Sequence, residues 1–132
     1  MITNQPDFDL NLLVDFFSES NDYPKEKSLE ELLVFQKQPD FLALISEEHG
    51  MIDGFLLGCP DGDRLWVFQV WHRPGTSPTA AKQGFEMAKD WARGKGLKSV
   101  MCETKRNEMK AFKRFGLTEY KVIMQCRLQY RL

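Results

Sequence analysis

Long apolar runs are missing from this 132-residue chain; none reaches the roughly 18 residues that a membrane span needs. Cysteine is scarce. Cys59, Cys102 and Cys126 cannot close a full set of disulfides, and no CxxC or Cys/His cluster offers a zinc site. They are expected to be reduced core residues in a cytosol-like compartment. Net charge is nearly absent: 18 Lys plus Arg against 19 Asp plus Glu give −1. That balance argues against bulk electrostatic attraction to nucleic acid or to anionic lipid, so neither is expected as a partner. Residues 1–13 (MITNQPDFDLNLL) show neither the basic nor the apolar region of a secretory leader. Repeats and low-complexity linkers are also lacking. What remains is a composition of 42% hydrophobic and 28% charged residues, which suits one soluble, cytoplasmic domain over 1–132.

The hydrophobic periodicity divides the chain. Leu10, Leu13, Val14 and Phe17 recur at helical spacing, with Asp9 as N-cap. Ser28 and Glu31 form an S-x-x-E capping box for a second helix, stopped at Gln38-Pro39-Asp40. Three strands follow at 41–46, 51–59 and 64–71, separated by turns at 47–50 and 60–63. Ser77-Pro78 reads as an N-cap and first helical residue, opening a helix to about Arg93 that Gly94 and Gly96 end. Its stripe is Ala81, Gly84, Phe85, Ala88, Trp91 and Ala92. A strand is expected at 97–103 and a short helix at 107–115. The tail, 117–128, reads as one long strand or two short ones. The strand–helix–strand unit at 64–103 implies a parallel pair beside an antiparallel meander. Trp66, Phe68, Trp71, Phe85 and Trp91 are expected mostly in the core.

This order, with these residues, resembles the GNAT superfamily of N-acetyltransferases over roughly 41–130. The family's "vGf" step is similar to Ile52-Asp53-Gly54-Phe55, and its strand end before the phosphate loop to Val70-Trp71-His72-Arg73-Pro74. Ala92-Arg93-Gly94-Lys95-Gly96 and Phe112-Lys113-Arg114-Phe115-Gly116-Leu117 resemble two later family segments, and Met124 with Leu128 a third. The first family strand is barely present, at Met1-Ile2-Thr3. The resemblance implies an α+β fold: a central, mixed, mostly antiparallel twisted sheet of about six strands with helices on both faces.

It also implies an acyl-CoA co-substrate, acetyl-CoA or another, and a small-molecule or peptide amine acceptor. The family loop Q/R-x-x-G-x-G/A falls on Thr76, Thr79 and Ala81, so its basic residue and one glycine are replaced and the loop is about one residue longer. Helix-start amides bind anions without the glycines. By the resemblance, CoA contacts would come from Val70, His72, Arg73, Thr76, Ser77, Thr79, Ala80, Ala81, Asn107 and Phe112. S-P-T-A is equally explained as a well-capped helix. The family's frequent strand Glu is missing from 64–71, and Phe112 stands where many members have the catalytic Tyr. Glu103, Glu108 and His72 are the substitute acids and bases. Each also has an ordinary structural reading, as a strand-end carboxylate, a helix N-terminal charge or a loop histidine.

Arg106, Lys110, Lys113 and Arg114 form a basic stripe on the 107–115 helix, suited to a CoA phosphate, to a nucleic-acid backbone or to a solvated face, the net charge disfavouring the nucleic acid. Two functions stay open at this point. One is a divergent acyltransferase. The other is an inactive GNAT-like fold kept for protein interaction, as the short accessory and virion-associated GNAT-like proteins of tailed phages resemble it. A homodimer is compatible with either.

Overall fold

A computed structural model describes residues 1–17, 24–76, 78–103, 118–120 and 123–128. The strands are β1 (Ile2–Asn4), β2 (Leu42–Glu48), β3 (Met51–Asp61), β4 (Arg64–His72), β5 (Ser99–Glu103), β6 (Thr118–Tyr120) and β7 (Ile123–Arg127). The helices are α1 (Lys25–Gln36) and α2 (Pro78–Gly94). Hydrogen-bonded neighbours run β1-β2-β3-β4-β5-β7-β6 in a mostly antiparallel sheet, in which β4 and β5 are parallel. In the tail β6 and β7 are two short strands, and among the described residues the sheet has seven. The chain forms two compact units, residues 1–59 with 68–76, and residues 60–67 with 77 onward.

In the first unit, β2 and β3 are apolar on both faces. Ala43 and Ile45 of β2, with Phe41 just before it, and Phe55, Leu57 and Cys59 of β3 share one face, in the register Ala43↔Leu57 and Ile45↔Phe55. Leu10, Leu13, Phe17 and Leu32 cover that face. Leu42, Leu44 and Leu56 are buried as well, which makes the strands read as continuous apolar runs rather than alternating ones. Each buried Leu, Ile or Phe contributes about 1.5–3 kcal/mol of transfer free energy.

Three local expectations change here. The segment at 10–17 is two successive 3₁₀ turns, Leu10–Leu12 and Val14–Phe16, rather than one α-helix; Asp9 does cap it, accepting from the Asn11 amide at 3.1 Å. Helix α1 begins three residues before Ser28, with Pro24 as N-cap. The Pro24 carbonyl accepts from Lys27 and Ser28, so Ser28 lies buried inside the helix and its capping-box pattern is not used. Pro60 and Asp61 continue β3, leaving Gly62 and Asp63 as the turn. The β2–β3 connection is also two residues: His49 (φ 53°) and Gly50 (φ 76°) both take the left-handed region, as a type I′ hairpin requires.

A bulge interrupts β3. Ser46 pairs with Gly54 and Glu47 with Ile52, so Asp53 has no partner on β2. The extra residue resets the alternation, and Ile52 packs against the same cluster as Phe55 although they are three residues apart. Beside the bulge, Gly54 has no room for a side chain: a Cβ would lie 2.7 Å from the Trp71 carbonyl oxygen and 3.3 Å from His72 Cα.

In the second unit, Arg64–Val67 of β4 pair in parallel with Ser99–Cys102. Phe85, Ala88 and Ala92 are the fully buried residues of the α2 stripe, and α2 packs against β5. Its end is a Schellman motif: Leu97 donates to Ala92 O and Gly96 to Arg93 O, with Gly96 at φ 74°. Of the five aromatic residues assigned to the core, Phe85 is fully buried; Trp66, Phe68, Trp71 and Trp91 are half-buried. Cys59 and Cys102 are buried and form no disulfide.

Gly54→Ala is expected to destabilise the protein by about 1–3 kcal/mol, because backbone and not a flexible side chain must move. Urea unfolding of the two proteins measures it; an unchanged midpoint contradicts the close approach.

Candidate functional site

The end of β4 gathers several of the residues singled out from sequence. Phe68 and Trp71 both pack against the apolar cluster of the first unit, so the strand's alternation is interrupted between them, across Gln69 and the half-buried Val70. The Trp71 ring stacks on Phe16 at a centroid distance of 4.1 Å and lies 5.9 Å from Phe55. Beyond it the chain leaves the sheet through Arg73-Pro74-Gly75-Thr76. Pro74 presets φ, Gly75 sits at φ 85°, and the Thr76 amide donates to Arg73 O at 3.2 Å, which is a type II turn.

Arg73 is held against β3. Its amide donates to Asp53 O at 2.6 Å, and its Nη2 donates to Ile52 O at 2.7 Å. Its Nε lies 3.8 Å from Asp53 Oδ1, shielded from solvent and without a hydrogen bond. The guanidinium carbon stands 5.6 Å from the Trp71 ring centre. Both charged side chains keep partial exposure, 36% and 21%, so the ion pair is worth at most about 1 kcal/mol. In the sequence Asp53 and Gly54 read only as part of a strand step. Their partnership with Arg73 follows from the bulge, which sequence periodicity does not show.

Thr76 connects this turn to His72. Its hydroxyl donates to Arg73 O at 2.6 Å. The single hydroxyl proton is therefore used, and toward His72 Nδ1, 3.4 Å away, Thr76 Oγ1 acts as an acceptor. This arrangement favours the tautomer with the proton on Nδ1 and the lone pair on Nε2. His72 itself is exposed. His72, Arg73 and Thr76 are thus brought together, with Val70 two residues before them in the strand.

The start of α2 belongs to the other unit. Its first turn reads Pro78-Thr79-Ala80-Ala81, with no acidic residue; Thr79 is exposed, and Ala80 and Ala81 are half-buried. A helix start directs the amides of its first turn along the helix axis, and Pro78 itself has no N–H. Such a start attracts an anion through the helix dipole. Glu103 is the last residue of β5, and its backbone pairs with Ile123. Ser77, Asn107, Glu108, Phe112 and the basic stripe at 105–114 lie outside the described residues. Among the described residues there is no cluster of three or more His, Cys, Asp or Glu suited to a metal, and no helix long and apolar enough to cross a membrane.

Solved structures share this architecture. The ribosomal-protein-S18-alanine N-acetyltransferase from Escherichia coli superposes with a TM-score of 0.76 over 99% of this chain and 95% of that one, at 13% identity. The PaiA N-acetyltransferase from Thermoplasma acidophilum, solved in complex with coenzyme A, gives 0.72 over 96% and 99% at 17% identity. The Escherichia coli GNAT-family protein YhbS, solved with CoA, gives 0.71 over 98% and 81% at 13% identity. The chain has the GNAT fold. No protein-family model matches its sequence, and no curated protein does. Identities this low leave the fold as the shared property, so the GNAT architecture here is built from a sequence of its own.

The Thr76 contact is testable by ¹⁵N chemical shifts of the neutral His72 ring. Wild type and Thr76→Ser are expected to favour the Nδ1–H tautomer. Thr76→Val, the same shape without the hydroxyl, is expected to shift toward Nε2–H. Identical ring shifts in all three proteins contradict the assignment.

Proposed function

We propose that this protein binds an acyl-CoA, acetyl-CoA in the first instance, and transfers the acyl group to an amine acceptor. The observation that carries the reading is the start of α2. A 17-residue helix opens on small residues, with no acid in its first turn. That is where an α/β crossover receives an anion, and these residues fit a pyrophosphate. The PaiA protein and YhbS carry CoA in their structures, and a streptothricin acetyltransferase-like protein from Bacillus anthracis carries acetyl coenzyme A. In this chain the first turn of α2, at Thr79, Ala80 and Ala81, would face the pyrophosphate; the family resemblance adds Val70, Thr76, Ser77, Asn107 and Phe112 as further contacts.

The reaction requires a neutral amine. Its nitrogen attacks the thioester carbonyl carbon, the C–S bond breaks, the amine gives up one proton, and the departing thiolate takes one. His72 is the residue whose geometry suits proton removal, since Thr76 leaves Nε2 as its acceptor nitrogen. Glu103 and Glu108 are the carboxylates proposed for the same task. Without a strand Glu or a Tyr at 112, the rate would rest largely on holding the amine and the thioester together.

Calorimetry with acetyl-CoA on wild type and Ala81→Glu tests the reading. A glutamate in the first turn favours the helix dipole, so the variant is expected to fold, which circular dichroism checks. The same charge repels a pyrophosphate. Saturable binding by wild type, weakened more than about tenfold in the variant, is the expected result. No binding by wild type at millimolar ligand overturns the proposal and leaves a GNAT fold used for protein interaction.

A further inference from the structure

The sequence resemblance makes Arg73 a charge for a CoA phosphate. The structure directs it elsewhere. Three features converge on Arg73 from β3: the Asp53 carbonyl on its amide, the Ile52 carbonyl on its Nη2, and the Asp53 carboxylate beside its Nε. All three exist because the bulge leaves Asp53 unpaired on β2 and because Gly54 lets β3 pass within contact of the Trp71 backbone. The Arg73 carbonyl, fixed in this way, receives both the amide and the hydroxyl of Thr76.

We infer that Arg73 is a positioning residue. It clasps the bulged strand β3 and thereby sets the 73–76 turn and the His72 ring, and it does not act as a phosphate ligand. The inference rests on the acyl-CoA reading for what the turn serves. The planar guanidinium is needed for the clasp: its fork reaches the Ile52 carbonyl with one nitrogen while another faces Asp53. A lysine keeps the charge and loses that fork. The half-exposed ion pair is too weak to justify the arrangement as a stability device alone.

Two variants separate a clasp from a phosphate contact. Arg73→Lys preserves positive charge, so a direct phosphate contact predicts affinity for acetyl-CoA close to wild type; the clasp predicts about fivefold weaker binding, one hydrogen bond's worth. Asp53→Asn removes a negative charge that competes for the guanidinium. A phosphate contact therefore predicts equal or tighter binding, and the clasp predicts weaker binding. Thermal unfolding of both variants identifies any loss that is only unfolding. Hydrogen exchange of the ligand-free proteins reads the clasp directly, with faster exchange expected at the Thr76 amide in both. Equal or tighter binding by Asp53→Asn, or an unchanged Thr76 exchange rate in both variants, overturns the inference. Absence of binding by wild type overturns the acyl-CoA reading, and the exchange rates then decide the clasp by themselves.

Discussion

At Gly54 two strands pass so closely that one methyl group would strike the Trp71 carbonyl, and the end of β4 is organised around that approach. The bulge at Asp53 lets a strand buried on both faces bend without losing its apolar register. The same bulge frees the backbone and carboxylate that hold Arg73. From Arg73 the constraint passes to the type II turn, to Thr76 and to His72. Most of these contacts are backbone bonds or bonds to backbone, which is why the corner depends on few side-chain identities: a glycine, an arginine, a proline–glycine pair and a hydroxyl.

The second unit contributes a different kind of preorganisation. The parallel pairing of β4 with β5 requires a crossover, and the crossover is α2. The helix is anchored by Phe85, Ala88 and Ala92 and closed by a Schellman motif at Gly96. Its open end carries no acid in the first turn. Anion binding at a helix start in general needs backbone geometry and not a glycine-rich sequence, so Thr79 and Ala81 at the family's loop positions are compatible with the proposal.

Much of the fold was legible from sequence, because the signals used were local. Alternation, Gly/Pro punctuation and the 3.6-residue stripe of α2 located the strands 41–46, 51–59 and 64–71, the helix after Pro78 and the parallel pair. The departures have tertiary causes. The 10–17 segment kept its helical spacing but tightened into 3₁₀ turns, with Leu10, Leu13 and Phe17 buried against the sheet. Ser28 matched a capping box, yet Pro24 had already started the helix and the small serine was buried instead. Pro60 read as a turn residue and remained in the strand, because Gly62 alone supplies the positive φ. At the site, the Arg73-Pro74-Gly75 turn was readable. The role of Asp53 was not, since a bulge is set by how two strands register and not by either strand alone.

The central claim is that a GNAT fold with a rewritten loop still receives an acyl-CoA at the start of α2. Titrating ¹⁵N-labelled protein with CoA while following backbone amides tests it most directly. Saturable shifts are predicted at Thr79, Ala80 and Ala81. Amides at these positions that stay unmoved at millimolar CoA would contradict it.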